Sequence, residues 1–161
     1  MKIKVKKLHK DAIVPQFAHA TDTGFDLFTV EDTTIGAKGK AIAKTGLAFE
    51  LPQGWGVAIR NKSGITIKGA PIRDIDGVRV LDENEYRADV TVFLGTVDNS
   101  YRGEIGIMVK NECDFPINIP KFTKLAQGVL EKVTHCEFEL VEELDTTERG
   151  FGGFGSTGVS A

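Results

Sequence analysis

Cysteine is scarce in this chain: Cys113 and Cys136 are its only two. Their spacing fits no metal or redox motif, and two reduced thiols suit a cytosolic protein, which excludes a disulfide scaffold. An excess of positive charge is also missing. At a net charge of −3 there is no global reason for nucleic acid to be a partner. No apolar run approaches membrane-spanning length, and the lysine-rich start lacks the apolar stretch of a signal peptide. The expected location is therefore the cytoplasm, with no membrane contact, and the sequon Asn61-Lys62-Ser63 is chance. Sustained helical periodicity is absent before an acidic stretch near 139–145, and no internal repeat appears.

What is present is alternation of period two. In "KIKVKKL", Ile3 and Val5 face one side and Lys2, Lys4 and Lys6 the other, as in a half-buried strand. Similar runs occur at "TGFDLFTV", "KAIAKTGLAFEL", "WGVAIR", "EIGIMVK", "KLAQGVLEKV" and "CEFELVEEL", most of them bounded by Gly, Pro or Asn/Asp. Within "GVRVLDENEYRADVTVFLG", alternating apolar positions flank a polar "DENE", which reads as a long β-hairpin. Many short strands with regular turns mean an all-β sandwich or jelly roll. The 161 residues, 41% hydrophobic and 27% charged, suit one soluble domain with a real core.

The segment "RGFGGFGSTG" at 149–158 is half glycine. Gly150, Gly152 and Gly155 satisfy the dinucleotide fingerprint G-x-G-x-x-G, but that fingerprint works only between a strand and a helix. The same stretch resembles a P-loop without its lysine. What survives is local chemistry: backbone N–H groups free to wrap phosphates, the hydroxyls of Ser156 and Thr157, and the charge of Arg149. A plain Gly-rich tail is the alternative. In "GTVDNSYRGEIG" at 95–106, Gly95 and Asp98-Asn99 signal a turn before a strand. Asp98 and Tyr101 thereby share one exposed loop. An Asx-turn aspartate and a core tyrosine would look the same.

Five stretches occur in order: "TDTGFDL" at 21–27, "NKSGIT" at 61–66, "GTVDNSYRGEIG", "KLAQ" at 124–127 and "RGFGGFGSTG". Together they resemble the five ordered motifs of the homotrimeric dUTP pyrophosphatases (dUTPases), over nearly the whole chain. The resemblance implies a β jelly roll over 1–148 and a flexible arm over 149–161 that closes on the active site. It implies a homotrimer with active sites shared between subunits, and cleavage of dUTP to dUMP and pyrophosphate with Mg²⁺. Such an enzyme limits uracil incorporation into DNA and supplies dUMP.

By the same resemblance Asp98 is the general base for the attacking water, a role an ionised carboxylate can fill. Tyr101 packs under the deoxyribose and excludes a 2′-hydroxyl. The hairpin through Phe93, Gly95, Thr96 and Val97 receives uracil through its backbone. Lys62, Ser63, Gly64 and Gln127 lie at the phosphates, and Asp26 holds water around a Mg²⁺ carried mainly by the phosphates. From the arm, Arg149, Gly155, Ser156 and Thr157 reach the phosphates and Phe154 stacks on the base.

Three departures stand out. Lys62 replaces the arginine of the usual Pro-Arg-Ser-Gly, so the planar fork is lost. Lys124 replaces another arginine, and Val92 stands where many relatives carry asparagine. The stretch 70–92 is longer than usual and reads as an extended hairpin arm, either a tolerated insertion or a site for a protein partner. The sister dCTP deaminases place their glutamate ten residues beyond the base; here that residue is Met108, which cannot shuttle protons. A nucleotide-responsive binding protein presenting the 70–92 arm is the reading from a different class.

Overall fold

The computed structural model describes residues 1–73 and 87–152. Within them the alternating runs form short strands: β1 (Lys4–Lys7), β2 (Gly24–Phe28), β3 (Thr33–Ile35), β4 (Lys40–Lys44), β5 (Leu47–Glu50) and β6 (Trp55–Asn61). After a short helix, α1 (Ser63–Lys68), come β7 (Ala70–Pro71), β8 (Arg87–Ala88), β9 (Val90–Val92), β10 (Gly95–Val97), β11 (Gly106–Asn111), β12 (Ile117–Ile119) and β13 (Lys124–Lys132). The run "KAIAKTGLAFEL" is two strands, because Gly46 takes φ 68° between them, a conformation that side chains disfavour. The three-residue strands β3 and β12 carry too little alternation to be seen in the sequence, yet they pair antiparallel.

A four-stranded sheet in the order β10-β6-β13-β2 and a three-stranded sheet β4-β11-β9 form the two main layers, flanked by the pairs β1-β5, β12-β3 and β7-β8. Strand β13, late in the chain, is inserted between β6 and β2, so the sheet closes only when distant segments meet. Inward residues from both layers join one core. Leu27, Val57 and Ile59 from the first meet Ala43, Ile107, Val109 and Val92 from the second, with Phe25 edge-on to Phe49. This is the expected all-β, jelly-roll type of architecture. Among the described residues no helix is long and apolar enough to cross a membrane.

One short helix escapes the periodicity, and one expected strand needs correction. Helix α1 begins within "NKSGIT" and runs to Lys68; at fewer than two turns it is too short to show helical periodicity. The acidic stretch near 139–145 forms no helix. "CEFELVEEL" is not a strand in this chain: residues 133–148 have no ladder partner among the described residues. Its apolar residues stay in solvent, with Phe138 96% and Leu140 99% exposed. Alternation marks a half-buried strand, but a strand also needs a sheet edge to join, and this segment meets none. Of the 70–92 arm, only the base is described: Ala70 pairs with Ala88 and Pro71 with Arg87, so the chain leaves and returns as adjacent antiparallel strands. The rest of the expected hairpin, 74–86, lies outside the described residues.

Candidate active site

Strand register assembles one cluster. On β13 the partners of Gln127 are Asp26 on β2 and Arg60 on β6. Between Lys124 and Ala126 the register slips: Lys124 is opposite Phe28 and Ala126 opposite Leu27. Two residues of β13 thus face one of β2, a bulge, which turns a side chain relative to regular alternation. Lys124 and Gln127, three apart, would point to opposite faces of a regular strand. With the bulge, Lys124 reaches the same Asp26 that Gln127 sits beside.

Asp26 is 8% exposed and holds two ammonium groups. Lys62, just after β6, bonds its Oδ1, and Lys124 Nζ lies 3.0 Å from its Oδ2. Burial alone would raise the Asp26 carboxyl, but hydrogen bonds and charge from Lys62 and Lys124 outweigh it and hold the group below its ordinary value. Gln127 Nε2 donates to Asn61 O at 3.0 Å, tying β13 to the end of β6. Gly24 makes room for that side chain, because a Cβ there would lie 2.7 Å from Gln127 Oε1. Lys62 also occupies the N-cap position of α1, and its carbonyl accepts Thr66 N at 2.9 Å. Ser63 and Gly64 follow in the exposed first turn, whose N–H groups have no intrahelical acceptor. Nothing lies within 4 Å of where a Gly64 Cβ would be, so internal packing does not demand that glycine.

The base-and-sugar half is built differently. Phe93 N donates to Met108 O at 2.9 Å; beyond that point β10 leaves β11 to pair with β6, and the hairpin opens. Asp98 follows in an exposed turn closed by Tyr101 N to Asp98 O at 3.1 Å. Tyr101 Oη donates to Glu104 O at 3.0 Å, and its ring lies over Gly103, where any Cβ would be 2.4 Å from that oxygen. Thr45 Oγ1, donating to Ile105 O at 2.7 Å, anchors the end of the loop. Thr96 is exposed, whereas the Val97 side chain is in the core, which leaves only its backbone for a ligand. Met108 lines an apolar cleft of about 530 Å³ with Ile42, Phe93 and Leu94. No carboxylate stands at that position.

Asp26, Lys62, Lys124 and Gln127 therefore meet, with Ser63 and Gly64 beside them, but Asp98 and Tyr101 do not join them. Val97 is opposite Val57, five residues along β6 from Lys62, or about 16 Å. Arg149 also stands apart: its Nε donates to Gly152 O at 2.7 Å, in a turn where Gly150 N reaches Thr147 O at 3.0 Å. Phe154, Gly155, Ser156 and Thr157 lie outside the described residues. Sequence reasoning noted Lys124 only as a departure. Its tie to Asp26 depends on the bulge, and the role of Gly24 depends on a residue about a hundred positions away.

The dUTPase family model matches residues 83–158. Deoxyuridine 5'-triphosphate nucleotidohydrolases from Nautilia profundicola and Helicobacter pylori (strain P12) are 39% and 38% identical to this chain, covering 98% and 99% of it and 99% of their own lengths. Among solved structures, the Staphylococcus bacteriophage 80alpha dUTPase with dUPNHPP superposes with a TM-score of 0.82 at 26% identity, covering 98% of this chain and 99% of that one. A mutant dUTPase of the S. aureus phage phi11, solved with a structural Mg(II) ion, gives a TM-score of 0.73 at 23% identity, covering 89% and 98%, and likeness at that identity speaks to fold alone.

Proposed function

The chain belongs to the dUTPase family, and from that membership we propose that it hydrolyses dUTP to dUMP and pyrophosphate at a site shared between subunits. The observation that carries the reading is the convergence of three family motifs, far apart in sequence, on Asp26, Lys62 and Gln127. Two ammonium groups on one carboxylate leave a net positive charge beside the exposed N–H groups of Ser63 and Gly64, which suits a polyphosphate. The open space at Gly64 lets a phosphate approach the backbone.

The remaining parts are assigned by residue. Asp98 accepts the proton of the water that attacks the α-phosphorus. Tyr101, its ring held on Gly103, packs against the deoxyribose. The open mouth after Phe93, bordered by Gly95, Thr96 and Val97, takes uracil through backbone groups. Arg149 and the 153–158 segment close over the nucleotide.

A homotrimer is part of the proposal for a geometric reason. Within one subunit the strand leading to Asp98 pairs with β6 about 16 Å along from Lys62, a separation that suits a site whose two halves come from different copies. The side chains of Cys136, Phe138 and Leu140, exposed in one chain, present an apolar patch that suits burial against a neighbouring subunit.

Magnesium fits as a substrate-borne ion. Among the described residues no three Asp, Glu, His or Cys side chains come together to hold a metal, and Mg²⁺ readily keeps its water while taking oxygens from phosphates. To Asp26 we assign the acceptance of a hydrogen bond from such a water. When bound, the ion supplies charge neutralisation on the phosphates.

The test is pyrophosphate release from dUTP, UTP, dTTP and dCTP with Mg²⁺. dUTP should be preferred by orders of magnitude; equal turnover of UTP or dTTP, or ammonia from dCTP, would overturn the reading.

A further inference from the structure

Asp26 carries one negative charge and two ammonium partners, so one of them is left without a counter-charge. The two lysines are not equivalent. The Lys62 side chain is 27% exposed, and its backbone is held between β6 and α1, where its carbonyl accepts both Thr66 N and Thr66 Oγ1. The Lys124 side chain is 54% exposed, opens β13 at the bulge, and rests its ammonium 5.6 Å from the Phe28 ring centroid. It also lines a cleft of about 440 Å³ with Lys121, Thr123 and Ile65 of α1, so its flexible stem has open space to move into.

We propose that Lys124 is a phosphate-binding residue parked on Asp26: it swings from Asp26 Oδ2 to the triphosphate of the incoming nucleotide while Lys62 stays on Oδ1. The inference rests on the dUTP reading above. An arginine here could grip both carboxylate oxygens through its fork; two lysines each take one, so one can leave without releasing the other. The departure also frees one oxygen of Asp26 for a new donor. Parking has a consequence no passive support would share: the carboxylate competes with the phosphates for the same ammonium, and so weakens nucleotide binding.

The experiment measures the Kd of the non-hydrolysable α,β-imido analogue of dUTP by calorimetry, in EDTA so that no metal contributes. Lys124→Met should weaken binding about tenfold, the scale of one lost charged hydrogen bond, and Lys124→Arg should recover most of it. Asp26→Asn, which removes the competitor, should bind about threefold more tightly than wild type. The double variant should lose that gain. Melting temperatures identify any variant that has not folded, and Lys124, being exposed, keeps the test alive if Asp26→Asn fails. Unchanged affinity in Lys124→Met, or weaker binding in a folded Asp26→Asn, overturns the inference. Wild-type protein that releases no pyrophosphate from dUTP overturns the underlying reading instead.

Discussion

Replace Phe138 and Leu140 together by serine, and the proposed assembly should fail while the subunit survives. Both side chains are almost wholly in solvent in the single chain, 96% and 99% exposed, so the fold loses no packing when they go. In the trimer they would be covered. Fully burying a phenylalanine or leucine contributes about 1.5–3 kcal/mol, so the pair is worth roughly 4 kcal/mol per subunit before the cost of ordering the segment. At 1.4 kcal/mol per factor of ten, that weakens each subunit's attachment by about three orders of magnitude. Sedimentation velocity from submicromolar to 100 µM loading concentrations should show wild type as a trimer and the variant as a folded monomer with native circular dichroism. Because Asp98 and the Lys62 cluster are then never brought together, dUTP hydrolysis should fall in step with trimer content. A variant that sediments and turns over like wild type would refute both the covered face and the shared site. An unfolded variant would refute the claim that the segment packs on nothing in its own subunit.

Asp98→Asn keeps shape but cannot take a proton; steady-state kinetics should show kcat lower by about two orders of magnitude or more with analogue binding nearly intact, and a loss of only a few-fold would place the base elsewhere. Gly128→Ala would set a Cβ 2.3 Å from Phe25 Cε2, and that ring is buried between Phe17 and Phe49. Overpacking of this kind costs about 1–3 kcal/mol, a drop of several degrees by calorimetry; an unchanged Tm would mean that the ring has room to turn. The folded-state carboxyl of Asp26 lies below its ordinary value of 3.8, so its ion pairs stabilise the fold above that pH and the contribution is lost as pH falls through the folded value. In denaturant titrations the gap between wild type and Asp26→Asn should therefore shrink progressively below pH 3.8, and a gap independent of pH would remove the ion pairs from the stability balance.

The all-β class was legible because period-two alternation is a local property: Val57 and Ile59, or Ile107 and Val109, declare a buried face without reference to anything distant. The motifs were legible for a similar reason, since turn glycines and the Asp98-to-Tyr101 spacing are short-range patterns. The tertiary structure decided what those patterns meet. Gly24 is a glycine because of Gln127, Gly128 because of Phe25, and Lys124 belongs to Asp26 only through a bulge that alternation cannot reveal. Helix α1 is held by its place between β6 and β7, with Ile65 in the core, and is too short for periodicity to announce it. The same limit explains "CEFELVEEL": the sequence supplies an amphipathic pattern, but whether it pairs depends on what it meets in three dimensions, and among the described residues it joins no sheet. Local chemistry sets which residues can act, and long-range pairing sets which of them can act together.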